Sequence, residues 1–245
     1  MHRLLTDAPI PDPGQIMAID GDEAAHAIRV KRLEPGEAVV VMDGAGVIAE
    51  GVVHEAARGR SGPTLSVRIS TRREVAAPGL WPIVDVFAAT PKGGRVDEMI
   101  DGLSQVGAAS WSPLNTARGI VDPREAKLSR LERIAREAAK QCGRAWVLRI
   151  DRAMELADVL RAGDARIIVA DESGEPFAPS SINDQRPIHL LIGPEGGWAQ
   201  GELAAARSAG AQITRFGLLT MRIETAAIAA TAIIMASQPT SRSSV

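Results

Sequence analysis

The segment Leu190-Leu191-Ile192-Gly193-Pro194-Glu195-Gly196-Gly197-Trp198 joins three apolar residues to a turn with three glycines, one proline and one carboxylate. The apolar run is typical of a buried strand, and ligands of open parallel sheets bind beyond the carboxyl ends of strands. Glycines let backbone N–H and C=O groups approach a ligand closely, but they also serve turns that bind nothing. The segment therefore predicts a buried strand and leaves open whether its turn is a ligand cradle.

Around this segment, strand patterns alternate with helix patterns. Such alternation indicates an α/β fold with a mostly parallel sheet that is covered on both faces. Residues 239–245 are expected to be disordered. The predicted strands are 83–89, 109–114, 165–171, 188–193 and 212–217, and the predicted helices are 95–107, 125–142, 200–209 and 224–236.

The first 70 or so residues have a different pattern, with short β-branched runs separated by Gly, Ser and Pro turns between residues 37 and 70. Residues 44–49 fit the dinucleotide fingerprint G-x-G-x-x-A, which requires a helix to open there. The chain continues instead as a second strand, and Asp43-Gly44 is a strong hairpin signal. We therefore predict a β-rich domain at 1–74, a boundary near 71–82 and an α/β domain at 75–245.

Composition narrows the function classes. The chain has 245 residues, 45% of them hydrophobic, and a net charge of −2. It has a single cysteine, Cys142, so it forms no internal disulfide and no cysteine-based metal cluster. It has no apolar run of the roughly 18 residues that a membrane span requires, and the apolar stretch in its first residues is too short for a secretory signal. We expect a cytoplasmic protein without a metal or a membrane.

Positive charge is concentrated in residues 118–152, where ten Lys and Arg stand against five Asp and Glu, so this stretch carries +5 and the remainder −7. In the helix predicted there, apolar residues repeat on one side, and Arg130, Arg133, Arg136 and Lys140 are expected on the other. Such a face fits phosphate binding and fits an ordinary solvated helix equally well.

A second glycine-containing segment, 216–234, runs from Phe216-Gly217 through an apolar loop to Arg222, and Glu224 follows at the start of an Ala-rich helix. In the structural interpretation, Glu224 stabilises the helix amino terminus and Arg222 pairs with a carboxylate nearby. In the functional interpretation, the apolar loop suits an adenine and a thioether, and Arg222 faces a reacting base.

Both segments resemble the paired signatures of the ribosomal RNA small subunit methyltransferase E (RsmE) family of the SPOUT superfamily: "LIGPEGGW" at 191–198 and "FGLLTMRIETA" at 216–226. Residues 87–114 are similar to that family's strand–Lys–Gly–helix segment, 136–144 to its Glu-Ala-Ala helix end, and 26–46 to its amino-terminal PUA-like module. The resemblance spans nearly the whole chain in the expected order.

The sequence departs from the family's usual pattern at four places. This chain has Phe216-Gly217 where the family usually has Leu-Gly, Ile223 where it has Thr, and Val30-Lys31-Arg32 where it has Val-Leu-Arg. Gln105 takes the place of the Glu of a Glu-Leu-Gly run, and the loss of this carboxylate puts a catalytic role for that position in doubt.

The resemblance implies transfer of a methyl group from S-adenosylmethionine to N3 of a uridine in 16S ribosomal RNA. It also implies a SPOUT-type trefoil-knotted sheet behind a PUA-like β-barrel, and a homodimer with the small ribosomal subunit as partner. The implied catalytic residues are Arg222 and Glu224. The implied cofactor-binding residues are Ala170, Glu172, Ile192, Gly193, Glu195, Gly196, Gly197, Leu218, Leu219 and Met221, and the RNA-binding candidates are Arg3, His26, Arg29, Lys31, Arg32, Arg118, Arg136 and Arg144.

Two other functions fit the same sequence. One is a SPOUT methyltransferase that acts on another base or on tRNA. The other is a non-catalytic RNA-binding or ribosome-assembly protein that keeps the PUA-like module on an inert sheet; it predicts no affinity for the cofactor.

Overall fold

The structure is a computed structural model that describes residues 1–59, 62–77, 80–119, 125–161, 163–182 and 184–237, with no side chains given for 58, 59 and 125–127. The chain forms two compact units, Met1–Gly79 with Ala139–Val147 and Leu80–Ala138 with Leu148–Val245. The sequence did not predict that Ala139–Val147 belongs to the first unit. The assignment of functional domains to 1–74 and 75–245 stays a prediction, and residues 239–245 lie outside the described residues.

The first unit contains a five-stranded sheet in the order β1-β3-β4-β5-β2. β1 and β3 are parallel, and the other neighbours are antiparallel. The predicted hairpin is confirmed, because Asp43 accepts the N–H groups of Ala45 and Val47 at 2.7 and 2.9 Å and β4 follows directly. No helix opens there, so the dinucleotide fingerprint is excluded. The bounds are β1 His2–Leu5, β2 Ile16–Ile19, β3 Ala38–Met42, β4 Val47–Gly59 and β5 Gly62–Glu74.

Two helical segments pack in this unit. Helix α1, Gly21–Arg29, was not predicted, and its buried residues Ala24, Ala27 and Ile28 join the sheet's core. The other segment is the last turn of α3, Glu125–Cys142. Lys140 was expected on the solvated face of α3, and this expectation is wrong: the residue is buried, and its ammonium lies 2.8 Å from the Glu23 carboxylate.

The second unit contains the predicted α/β sheet, in the order β12-β10-β11-β6-β7-β8, with β9 paired to β7. Every pairing is parallel. The predicted strands and helices are confirmed, while β8, β9 and α4 were not predicted. The bounds are β6 Val84–Ala88, α2 Arg95–Val106, β7 Ser110–Asn115, β8 Arg149–Ile150, β9 Met154–Glu155, α4 Leu156–Arg161, β10 Arg166–Pro176, β11 Ile188–Ile192, α5 Gln200–Ser208, β12 Gln212–Arg215 and α6 Ile223–Ala236.

Both faces of this sheet are covered, as predicted. Phe87 and Leu191 lie on one face in a cluster with side chains of α4 and α5. Val86 and Leu190 alternate with them, are fully buried on the other face, and lie on strands that α6 contacts. α6 also packs against α2. The trefoil knot stays a prediction. Among the described residues, no helix is long and apolar enough to cross a membrane.

Candidate active site

The carboxyl ends of four neighbouring strands lie in one row of the parallel sheet. Ala88 of β6 pairs with Ile192 of β11, Ile192 pairs with Ala170 of β10, and Ala170 pairs with Thr214 of β12. The loops that follow these residues therefore emerge side by side. This arrangement brings together the three segments predicted to hold a cofactor.

The loop after β11, Gly193–Trp198, is folded around its own tryptophan. The indole of Trp198 is buried, and a Cβ added at Gly193 would lie 2.8 Å from it, so only glycine fits there. The indole Nε1 donates to the carbonyl of Ala170 at 3.0 Å, which joins this loop to β10. Gly197 adopts φ +68° and donates its N–H to the carbonyl of Pro194 at 2.8 Å, so the turn closes tightly.

The same loop is held from the side by residues beyond β7. Nη1 of Arg118 donates to the carbonyl of Gly196 at 2.8 Å and lies 3.4 Å from that of Trp198. Glu202 in the first turn of α5 accepts the N–H of Ala199 at 2.7 Å and that of Ala117 at 2.8 Å. These contacts hold the carboxyl-terminal end of the GPEGG loop, residues 193–197.

The sequence predicted that this strand ends at residue 171, but the strand continues beyond that point. β10 continues to Pro176 through an irregularity between Ala170 and Glu175. Gly174 lies against β12, where an added Cβ would be 2.5 Å from backbone atoms of that strand. The irregular segment carries the exposed carboxylate of Glu172, which accepts the hydroxyl of Thr220 at 3.5 Å.

The loop after β12 presents apolar side chains to solvent. Leu218 is 91% exposed and Leu219 84%, an unusual environment for two consecutive leucines. Because Thr220 in the same loop contacts Glu172, the apolar loop and that carboxylate are neighbours. The combination of exposed apolar surface, a carboxylate and open backbone suits a ligand that is partly apolar and partly polar.

The two predicted catalytic residues lie at the start of α6: Arg222 directly precedes the helix, and Glu224 lies in its first turn. Glu224 is buried, and its Oε1 lies 3.9 Å from Nη1 of Arg95, which is also 2.8 Å from Oε1 of Glu195. The pairing of Arg222 with a nearby carboxylate, expected in the structural interpretation, is not formed among the described residues. Among the described residues, the exposed side chain of Arg222 has no hydrogen-bond or ion-pair partner, and Oε2 of Glu224 is buried without a hydrogen bond. Arg222 is therefore available to a bound molecule.

Comparison with known proteins assigns the chain to a family. Residues 81–235 match the family described as RNA methyltransferase domain, and residues 19–60 match the family described as RNA methyltransferase PUA domain. The ribosomal RNA small subunit methyltransferase E of Mycobacterium bovis is 32% identical over 232 residues, which cover 90% of this chain and 86% of that protein. The chain belongs to the ribosomal RNA small subunit methyltransferase E family. The Bacillus subtilis member is 26% identical over 224 residues, 85% of each chain.

Solved structures share the fold of this methyltransferase E family chain. The Neisseria gonorrhoeae enzyme of the same name, bound to S-adenosylmethionine, superposes with a TM-score of 0.82 at 23% identity, over 96% of this chain and 97% of that one. A methyltransferase from Legionella pneumophila, solved with the same cofactor, gives a TM-score of 0.80 at 24% identity, with the same coverage.

The predicted RNA-binding residues of this methyltransferase E family member are distributed over both units. Arg118 and Arg136 lie in the second unit, and the others lie in the first. Several have structural contacts: Arg3 donates to the carbonyl of Gln141 at 2.6 Å, and Lys31 donates to that of Arg3 at 2.7 Å. Burial lowers the pKa of Arg144. His26, Arg29 and Arg32 are exposed, and no described residue pairs with their side chains.

Sequence reasoning missed three residues that shape the site: Arg95, Trp198 and Glu202. Arg95 did carry a signal, because a cation as the first residue of a helix opposes the helix dipole. Glu202 stands three residues after the residue that precedes α5, the spacing of a capping box. Nothing in the sequence connects Trp198 with Ala170. Among the described residues, no group of three His, Cys, Asp or Glu is arranged to hold a metal ion.

Proposed function

We propose that this chain transfers a methyl group from S-adenosylmethionine to N3 of a uridine in 16S ribosomal RNA. The observation that carries the proposal is the convergence of the GPEGG loop, the Glu172 segment and the Leu218–Met221 loop at one sheet edge, in a chain of the methyltransferase E family. The names of its relatives support small subunit ribosomal RNA as the substrate, and the family resemblance supports uridine N3.

The residues at this edge fit S-adenosylmethionine. A Cβ added at Gly196 would meet only the side chain of Arg118, at 3.6 Å, and one at Gly197 would meet nothing within 4 Å, so the loop surface is open to close approach. Leu218 and Leu219 offer apolar surface for an adenine and a thioether, and Glu172 offers an acceptor for hydroxyl or ammonium donors. The residues that would hold the cofactor are Ala170, Glu172, Ile192, Gly193, Glu195, Gly196, Gly197, Leu218, Leu219 and Met221.

When bound, this cofactor supplies an electrophilic methyl group on a sulfonium, a chemistry that needs no metal. The nucleophile is N3 of the uracil ring, which carries a proton at neutral pH. As N3 loses that proton to solvent, negative charge spreads over O2, N3 and O4. A cation next to the ring stabilises this charge in the transition state. We assign that role to the guanidinium of Arg222, which is exposed beside the Leu218–Met221 loop and has no partner among the described residues.

RNA binding is assigned to the basic candidates of both units. His26, Arg29 and Arg32 support this assignment most directly, because their side chains are exposed and unengaged within the described structure. Each phosphate neutralised by a cation releases counterions, so the logarithm of RNA affinity falls with the logarithm of salt concentration by slightly less than one per contact. Replacing Arg29 and Arg32 together by Gln should therefore reduce that slope by about 1.5 to 2.

The proposal includes a cytoplasmic location, where ribosomal subunits assemble, and a homodimer. The proposed dimer rests on the resemblance to the family. The side chain of Ile233 on α6 is apolar and 37% exposed, which is compatible with a dimer interface on this helix. Sedimentation velocity of the purified protein at micromolar concentration tests the dimer directly.

The deciding experiment is calorimetric titration of S-adenosylmethionine into wild-type protein and into Gly196→Val. Valine fits the fold at this position but occupies the open surface of the loop. Gly201→Val, in α5, is the matched control, because nothing lies within 4 Å of an added Cβ there. We expect binding to the wild type and to Gly201→Val, and none to a folded Gly196→Val.

A transfer assay with small-subunit particles and radiolabelled cofactor completes the test. Label at uridine N3, lost in Arg222→Ala, is the expected result. Label on another base or in tRNA would favour a methyltransferase with a different target. No cofactor binding, even with small-subunit particles present, would favour the non-catalytic RNA-binding protein.

A further inference from the structure

We propose that Arg95 is a positioning residue. Its guanidinium holds both the GPEGG loop and the first turn of α6, so the affinity for the cofactor and the rate of turnover both depend on Arg95. The inference rests on the proposed function and deepens it: it names a residue that no sequence motif or relative assigns. In this proposal, Arg95 acts through Glu195 and Glu224 and does not contact the cofactor or the RNA itself.

Three segments of the site meet at Arg95. Its Nη1 lies 2.8 Å from Oε1 of Glu195 in the GPEGG loop and 3.9 Å from Oε1 of Glu224 at the start of α6. Its Nε donates to the carbonyl of Lys92, in the loop after β6, at 3.2 Å. A planar guanidinium that is fixed on one side by a backbone carbonyl presents its other donors in a set direction.

Burial makes the pairing with Glu224 important. The side chain of Glu224 is 9% exposed and that of Arg95 is 25% exposed, so neither group is fully hydrated. A buried carboxylate is costly unless a cation or hydrogen-bond donors compensate it. Among the described residues, Oε2 of Glu224 makes no hydrogen bond, which leaves Arg95 as its ion-pair partner within that part of the chain.

The position of Arg95 is not explained by the stability of its own helix. It is the first residue of α2, where the helix dipole favours anions, and Asp97 and Glu98 in the same turn already fill that role. A cation there is unfavourable for the isolated helix. The contacts that compensate it are with Glu195, 100 residues away in sequence, and with Glu224.

This geometry has two functional consequences. Without Arg95, the GPEGG loop loses the anchor of Glu195 and spends less time in its binding conformation, which raises the apparent Kd for the cofactor by the inverse of the competent fraction. The start of α6 loses the partner of Glu224, and Arg222 lies two residues before Glu224. We therefore expect a change in kcat at saturating cofactor as well as in affinity.

The test is a double-mutant cycle with Arg95→Gln, Glu195→Gln and the double variant, measured as the Kd of S-adenosylmethionine and the kcat of RNA methylation. Arg130→Gln and Asp97→Asn form the matched control cycle, because this ion pair also anchors on α2 but touches no cofactor loop. Thermal unfolding of each variant reports structural damage separately.

We expect Arg95→Gln and Glu195→Gln each to raise the Kd of the cofactor about tenfold. The Kd of the double variant should be no higher than that of either single variant. A general loss of stability does not produce this coupling. Arg95→Gln alone should also lower kcat, with partial recovery in Arg95→Lys. The Arg130 and Asp97 variants should keep wild-type Kd.

Two results would overturn the inference and leave the proposed function in place. If the wild type binds the cofactor and Arg95→Gln binds and turns over equally well, Arg95 positions nothing and the proposed function stands. If the effects of Arg95→Gln and Glu195→Gln on Kd simply add, the two residues act independently. A wild type that binds no cofactor, even with small-subunit particles, removes the proposed function and this inference together.

Discussion

The indole Nε1 of Trp198 donates a hydrogen bond of 3.0 Å to the carbonyl oxygen of Ala170 and so connects the loops at the ends of two neighbouring strands. The two residues are 28 positions apart in the chain. Ala170 is the last residue of β10 before its irregularity, and it is also where the pairing of β10 with β11 ends. The indole thus aligns two of the three segments assigned to the cofactor.

Trp198→Phe should lower stability by about 1 to 2 kcal/mol, because it keeps most of the ring packing but leaves the carbonyl of Ala170 without this donor. It should also weaken cofactor binding, since Ala170 and the GPEGG loop are no longer joined. Denaturant unfolding and calorimetric titration measure the two effects.

Trp111→Phe provides the control. Trp111 is also buried in the second unit, but its Nε1 has no hydrogen-bond partner among the described residues. Replacing it removes an unsatisfied donor, so stability should change much less and cofactor affinity should not change. Equal losses of affinity in both variants would mean that the hydrogen bond to Ala170 has no specific role.

Gly193→Ala should be strongly unfavourable although only one methyl group is added. The new Cβ would lie 2.8 Å from the indole of Trp198, and such overpacking costs about 1 to 3 kcal/mol. The control, Gly201→Ala in α5, has open space around its Cβ and gains helix propensity, so it should be neutral or stabilising by up to about 1 kcal/mol. Thermal unfolding of both variants checks this contrast; a Gly193→Ala protein as stable as the wild type would contradict it.

The sequence predicted the long elements because their apolar residues repeat with a clear period. Leu131, Ala135 and Ala138 of α3 are buried as the helical spacing indicated. It failed for elements too short to show a period, such as the two-residue strands β8 and β9 and the six-residue helix α4. It also missed α1, a short helix of mixed polarity within a region of strand patterns.

The candidate site was predictable only in its local parts. The glycines and apolar loops were recognised because each motif lies within a few consecutive residues. The contacts of Arg95 with Glu195 and of Trp198 with Ala170 join residues far apart in the chain, and a single sequence contains no signal for such pairs. Lys140 was misplaced for the same reason, because its burial depends on Glu23, 117 residues earlier.

The ion pair between Lys140 and Glu23 should be important for the first unit. Its two side chains are only 8% and 16% exposed, and Glu23 also accepts the N–H of Leu5 at 3.3 Å. Glu23→Gln removes a carboxylate charge that lies 2.8 Å from a buried ammonium, which should cost about 3 kcal/mol. Urea unfolding followed by a probe in the first unit measures the loss.

Glu74→Gln is the matched control for Glu23→Gln. Glu74 also pairs with a cation in the first unit, Arg72 at 2.8 Å, but its side chain is 68% exposed. Surface pairs of this kind contribute about 0 to 1 kcal/mol. Similar losses of stability in Glu23→Gln and Glu74→Gln would show that burial does not increase the contribution of the Glu23 ion pair to stability.

Stability should fall as the pH falls below about 6.5, the ordinary pKa of histidine, because of His189. Burial lowers the pKa of His189, although Asp85 on the neighbouring strand opposes the shift, and its Nδ1 is buried without a hydrogen bond to any described residue. The unfolded chain therefore takes up the proton at a higher pH than the folded chain does, so the stability present above the ordinary pKa is lost progressively on acidification.

Urea unfolding between pH 8 and pH 5 should show this decrease of stability with falling pH in the wild type. His189→Gln should flatten the slope, whereas His54→Gln, at an exposed position of the first unit, should retain it. A slope that survives in His189→Gln would assign the pH dependence to another group.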